Sequence, residues 1–190
     1  MKKYGIIICL LSLLLFSCMS EQDKLEKANK NLGSKKNPIK MYFVPSMEAS
    51  TIVTSGEAIA KWLEKETGYH FKVAVPTSYA AVIEALGTNQ ADVAWLPTFA
   101  YILAKEKYDV QVKFMTIRNG LSKYRGQFVA RTDSGIDSLE DIEGKVIAYT
   151  DAASTSGYIY PSAILRQKGI KPDKYTFAGG HPQAIASVYN

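Results

Sequence analysis

From Asp151 to Tyr158 the chain reads Asp-Ala-Ala-Ser-Thr-Ser-Gly-Tyr, three consecutive hydroxyl side chains followed by a glycine. The segment lies between an expected strand, Lys145 to Tyr149, and an expected helix, Thr155 to Lys168, which Gly169 closes. A helix start presents backbone N–H groups without intrahelical partners, together with the positive end of the macrodipole. Ser154, Thr155 and Ser156 add hydroxyl donors, and Gly157 lets the backbone come close to a ligand. Such a segment suits an oxyanion cradle built without a metal or a lysine. It also suits an ordinary Ser/Thr N-cap, and the motif alone does not decide between them.

Other polar residues fall at similar junctions. Tyr79, in Thr-Ser-Tyr-Ala-Ala, sits at a helix start just after a strand. There a phenol can donate to an anion while its ring packs on the helix. Plain packing fits it equally. Tyr124, in Tyr-Arg-Gly, precedes a strand candidate and suits either surface packing or a ligand contact. Tyr101 reads as core or lining, and Asp151 and Glu48 read first as helix caps. His181 follows Gly179-Gly180 at a strand-to-helix junction, where a proton-donating ligand contact is the expectation and a plain helix start the alternative. His70, beside Tyr69, reads as a surface or edge residue. There is no Gly-x-x-x-x-Gly-Lys-Ser/Thr loop and no Gly-x-Gly-x-x-Gly. A zincin or serine-hydrolase site would have to draw on one of these two histidines. No catalytic constellation, metal site or cofactor is expected.

The elements that must position these residues alternate. Lys40 to Val44, Phe71 to Val75, Asp92 to Leu96, Lys145 to Tyr149 and Tyr175 to Ala178 read as strands. Gly56 to Thr67, a helix capped by Thr77 or Ser78 and ended by Gly87, a helix from Pro97-Thr98 to about Lys107, and one bearing Ala184, Ile185 and Val188 lie among them. Val110 to Ile117 and Gln127 to Arg131 are further strand candidates, separated by a turn at Asn119-Gly120, and Ser138 to Gly144 is a capped helical turn. Strands alternating with helices indicate α/β architecture with parallel sheets covered on both faces. Ligands of such sheets bind beyond the carboxyl ends of strands, where the polar clusters at Pro45-Ser46, Pro76 to Tyr79, Asp151 to Tyr158 and Gly179 to His181 fall. Asn190 interrupts a helical pattern without a stop signal, so the chain is expected to be truncated, and residues 18–190 alone are expected to bind ligand poorly.

The N-terminus has the order of an export signal. Lys2-Lys3 precede an apolar run, Ile6 to Phe16, too short for a comfortable membrane span, which needs about 20 apolar residues. Leu15-Phe16-Ser17-Cys18 resembles a lipobox, so residues 1–17 are expected to be a lipoprotein signal peptide and Cys18 the lipidated first residue. Residues 18–37, polar and lysine-rich, are expected to be a flexible tether. Cys9 and Cys18 are the only cysteines, so the domain beyond them has no disulfide, thiol nucleophile or Cys-based zinc site. The formal charge of +5 is spread out rather than clustered, which argues against nucleic acid as a partner.

Taken in order, Val44-Pro45-Ser46, Ser78-Tyr79-Ala80-Ala81-Val82-Ile83-Glu84-Ala85, Ala91 to Leu96, Tyr124-Arg125-Gly126, Ser154-Thr155-Ser156-Gly157-Tyr158 and Gly179-Gly180-His181 resemble the phosphate/phosphite/phosphonate-binding proteins of ABC importers. The resemblance runs from about Lys40 to Asn190. Leu96-Pro97-Thr98-Phe99-Ala100-Tyr101 departs from the Gly-Pro and Ser-Tyr pattern common there. The resemblance implies a two-lobed, type II periplasmic-binding-protein-like fold, with residues 38–131 in the first lobe and 132–190 beginning the second. It implies that Ser154, Thr155 and Ser156 bind the oxyanion, with Tyr79, Tyr124 and His181 as further contacts and Tyr101, Gly157 and Asp151 as lining. Acidic residues of the family site would lie beyond Asn190. The implied function is capture of a phosphonate, phosphite or phosphate at the cell envelope and delivery to a membrane permease, without catalysis. The alternatives are an exported enzyme acting on a phosphorylated or phosphonylated compound and a ligand-sensing subunit of a signalling receptor.

Overall fold

A computed structural model describes residues 23, 26 and 29–189. The signal segment and Cys18 lie outside the described residues. Two parallel sheets organise the chain. In the first, β1 (Ile39–Phe43) lies between β2 (Phe71–Ala74) and β3 (Val93–Trp95). Helix α1 (Ala49–Thr67) connects β1 to β2, α2 (Tyr79–Gly87) connects β2 to β3, and α3 (Thr98–Tyr108) follows β3. The order β2-β1-β3 means that successive crossovers leave β1 on opposite sides. This opens a crevice at the carboxyl ends of β1 and β3, the topological switch point where such sheets take ligands. The second sheet pairs β4 (Val146–Tyr149) with β5 (Lys174–Phe177). Helix α4 (Tyr160–Gln167) joins them and α5 (His181–Tyr189) follows.

Local chemistry fixes most element ends. Ser78 is the N-cap of α2, its hydroxyl accepting from Ala81 N–H at 3.1 Å, and Gly68 closes α1. Helix α1 begins at Ala49, two turns before the expected Gly56, because Ser50, Thr51, Thr54 and Ser55 hide an exposed helical face. Phe43 and Trp95, in register on β1 and β3, stack with centroids 5.8 Å apart. Residues 34–37, in the expected tether, form a turn tied to the domain: His70 N–H donates to Gly33 O at 2.7 Å and Gly33 N–H to Asn37 O at 2.8 Å.

Two of the expected strands do not form. Residues 110–117 and 127–131 make no ladder with any described strand, and Phe114 is 88 % exposed. Apolar alternation is a half-buried pattern, but a strand also needs a partner for its backbone groups. Only the turn survives as expected: Asn119 and Gly120 both take positive φ, and Arg118 and Leu121 bridge across it. The helix expected from Thr155 is also remade. Residues Thr155–Ile159 form a wide π turn before α4 begins.

Two apolar clusters stabilise the fold. Tyr79, Val82, Ile83, Ala100 and Ala104 pack with Val44, and Ile142, Leu165 and Ile170 with Phe128 and Ile147. Ala153, from the loop after β4, is buried in the first cluster and so joins the second sheet's loop to the first sheet's core.

Candidate functional site

The loop after β4 is built around Thr150, a residue that the sequence reading passes over. Its N–H donates to Gly157 O at 3.2 Å, and its own carbonyl accepts from Gly179 N–H at 2.7 Å. Pro161 explains the first bond. An α-helix would direct the N–H of residue 161 at Gly157 O, but proline has none. The freed carbonyl turns to Thr150, while Ile159 N–H reaches back to Ser154 O at 3.0 Å, which widens the turn. Gly157 then lies so close to Thr150 that a Cβ there would sit 2.0 Å from the Thr150 hydroxyl oxygen. Glycine is required by contact at this position, with Pro161 as the legible signal.

The hydroxyl row divides its work. Ser154 is buried; its oxygen accepts from Gly157 N–H at 3.1 Å, an N-cap bond, and it also hydrogen-bonds the Tyr79 phenol. Thr155, 3 % exposed, reaches across to the first sheet's side, where its oxygen accepts from Phe99 N–H at 2.8 Å. The N-cap of α3, Pro97, makes no side-chain cap. Thr155 therefore caps a helix other than its own, and its proton stays available to an acceptor. Ser156 is half-buried, and its carbonyl lies 3.0 Å from where a Gly126 Cβ would stand, so the Tyr124-Arg125-Gly126 segment runs against the loop.

Tyr79 is 1 % exposed. Burial pushes its phenol up to about 12, with Asp151 and Tyr124 adding to the rise and the Ser154 hydrogen bond opposing it. The group is a neutral donor throughout the physiological range. Tyr124 is 52 % exposed and close enough to Tyr79 to act on its phenol. Asp151 accepts from Ala153 N–H at 2.8 Å, a turn bond within the loop, and the helix cap expected of it falls to Ser154 instead. His181 opens α5, its N–H donating to Ser46 O at 3.0 Å and its Nδ1 lying 3.4 Å from Thr150 Oγ1. Burial lowers its pKa from the ordinary value, which favours neutral imidazole. Glu48 accepts from Gln183 Nε2 at 2.8 Å, a further tie between α5 and the first sheet's loops. Tyr101 is half-buried, two residues beyond Phe99 on α3.

A cavity of about 740 Å³ opens beside the loop. Thr150, Ser156, Gly157 and His181 form its polar end near Arg125, and Phe128 and Ile185 are among its apolar walls. Ser154, Thr155 and Tyr79 face the first sheet instead. Among the described residues no cluster of His, Cys, Asp and Glu is arranged to hold a metal ion.

The loops converge at the crevice between β1 and β3, the β4 loop capping α3 and the start of α5 bonding to Ser46. Residues 41–190 match the family described as "ABC transporter, phosphonate, periplasmic substrate-binding protein". The chain belongs to this family. Its relatives include the "Phosphate-import protein PhnD" of Mycolicibacterium smegmatis, 28 % identical over 161 residues, which are 77 % of this chain and 50 % of that protein. Two solved binding proteins share the fold. PhnD1 from Prochlorococcus marinus, in complex with methylphosphonate, aligns with a TM-score of 0.61 at 18 % identity, over 79 % of this chain and 59 % of that one. A binding protein component of a phosphonate ABC transporter from Pseudomonas aeruginosa aligns at 0.64 and 22 % identity, over 73 % and 51 %. The chain thus has the α/β fold of periplasmic binding proteins and spans about half the length of the curated relatives it matches.

Proposed function

We propose that this protein is the substrate-binding lipoprotein of an ABC importer, capturing a phosphonate, phosphite or phosphate between two lobes and delivering it to a permease. Residues 38–131 belong to the first lobe and 132–190 begin the second. The observation that carries the reading is the meeting of the β4 loop and the start of α5 with the first sheet's loops, Thr155 at Phe99 and His181 at Ser46, with Ser156 and His181 at the polar end of the cavity and the hydrogen-bonded Tyr79–Ser154 pair behind them. Two relatives agree in chemistry, one named for phosphate import and one solved with methylphosphonate.

Binding proceeds without covalent change. Hydrogen bonds from neutral donors to an ionised acceptor are about twice as strong as neutral pairs. Thr155, held by Phe99, keeps a hydroxyl proton for an acceptor, Ser156 and the Gly157 backbone line the polar end of the cavity, and Tyr124 stands near Tyr79. Tyr101 and Asp151 shape the surroundings. The second-sheet loop meets the first sheet through the Thr155–Phe99, His181–Ser46 and Gln183–Glu48 bonds. A ligand that adds bonds to the same loop favours this closed arrangement, the state for a permease to recognise, and release follows reopening. Acylated Cys18 holds the exported protein at the envelope.

Calorimetry of the full-length protein against methylphosphonate, phosphite, phosphate and sulfate tests the reading. One phosphorus oxyanion is expected to bind at least about tenfold more tightly than sulfate, a difference of about 1.4 kcal/mol, and to be recovered unchanged. Equal affinity for sulfate, or no binding, would contradict it; turnover of the ligand would favour an exported enzyme.

A further inference from the structure

The imidazole of His181 has two nitrogens, and a neutral ring donates from one and accepts at the other. Which one donates follows from Thr150. The residue is 2 % exposed, sealed under Gly157, and its hydroxyl oxygen lies 3.4 Å from His181 Nδ1. A buried hydroxyl proton needs an acceptor. The described structure offers Nδ1, and a proton already on that nitrogen would leave the hydroxyl proton stranded. Thr150 is itself fixed by two backbone bonds, to Gly157 and Gly179, so its hydroxyl is held where it is.

We propose that Thr150 is a positioning residue whose hydroxyl donates to His181 Nδ1, fixes the Nε2–H tautomer and thereby makes Nε2–H the imidazole donor to the bound anion. The first part stands on geometry alone; the second rests on the proposed function. The same threonine holds the hydroxyl loop and the imidazole together, since its backbone bonds Gly157 and its side chain bonds His181. A change at this one buried atom alters the donor at α5 without touching the ligand.

Nitrogen NMR of the full-length protein labelled at histidine reads His181, its signal assigned by its loss in His181→Gln, with His70 as internal control. In the wild type at neutral pH, His181 is expected as the Nε2–H tautomer. Thr150→Ser keeps that signature, and Thr150→Val, which retains shape but loses the hydroxyl, shifts it toward Nδ1–H. In parallel, affinity for methylphosphonate, phosphite or phosphate, whichever binds, is expected to fall about tenfold in Thr150→Val and to stay near wild type in Thr150→Ser. A wild-type His181 protonated on Nδ1, or a tautomer indifferent to Thr150→Val, overturns the assignment. Should Thr150→Val fail to fold, the wild-type and Thr150→Ser spectra decide it. The tautomer is read without ligand, so a protein that binds none of the anions refutes the proposed function and leaves this test intact.

Discussion

Gly157 shows how tightly the loop is made. Alanine there would drive a methyl group onto the Thr150 hydroxyl. Gly157→Ala is expected to cost about 1–3 kcal/mol of stability, the scale of overpacking, as read from denaturant midpoints; an unchanged midpoint would mean that the turn yields freely. Thr155 carries two loads. Thr155→Ala is expected to weaken anion binding by about 1.5–3 kcal/mol, the scale of a hydrogen bond to a charged group. It also costs about 1 kcal/mol of stability through the lost cap on α3. Calorimetry and denaturation separate the two, and a loss of stability with affinity intact would leave only the cap. For Tyr79 the native pKa is raised above its ordinary value of 10.0 to about 12. Its neutral form is therefore favoured by folding: this contribution is complete below pH 10 and is lost as pH rises through about 12. Burial raises Tyr149 as well, so absorbance titration is expected to show a late-ionising tyrosine signal that loses one group in Tyr79→Phe. His181 has the opposite sign, its native pKa lying below 6.5, so its contribution declines as pH falls below that value.

At the scale of elements, the alternating α/β pattern is legible because its boundaries are written in local chemistry. Ser78 and Gly68 announce a cap and a stop, and the structure uses both. Ser78→Ala is expected to cost about 1 kcal/mol and to loosen Tyr79, the first residue of α2; a denaturation midpoint equal to wild type would show that packing alone sets that helix start. What the sequence conceals depends on partners distant in the chain. Residues 110–117 and 127–131 have the apolar content of strands without a strand to pair with. The π turn follows from one missing N–H at Pro161, whose effect appears only once Thr150 is seen beside Gly157. Thr150 itself ends a strand-like run and looks like any β-branched residue. The hydroxyl row was legible as a donor cluster, but its division between the Thr155 cap and the Ser156 cavity wall was not, because Phe99 and Gly126 reach it from other parts of the chain.

At the scale of the whole molecule, the proposed tethered receptor has two sheets that meet through the β4 loop and the start of α5. Cys18→Ala is expected to abolish incorporation of labelled fatty acid; persistent labelling would move the anchor elsewhere. The junction combines polar bonds, among them Thr155 to Phe99, His181 to Ser46 and Gln183 to Glu48, which are suited to opening as well as closing, with the apolar packing of Ala153. The bound ligand is expected to strengthen that junction because it shares the same loop. The most direct test is a crystal structure of the full-length protein grown with methylphosphonate, phosphite or phosphate. The account predicts an anion whose oxygens lie within hydrogen-bond distance of the Thr155 and Ser156 hydroxyls and of His181 Nε2, with Tyr79 and Tyr124 alongside. An anion bound instead at Arg131 or elsewhere in the cavity, with the Ser154–Ser156 loop making no contact, would contradict it.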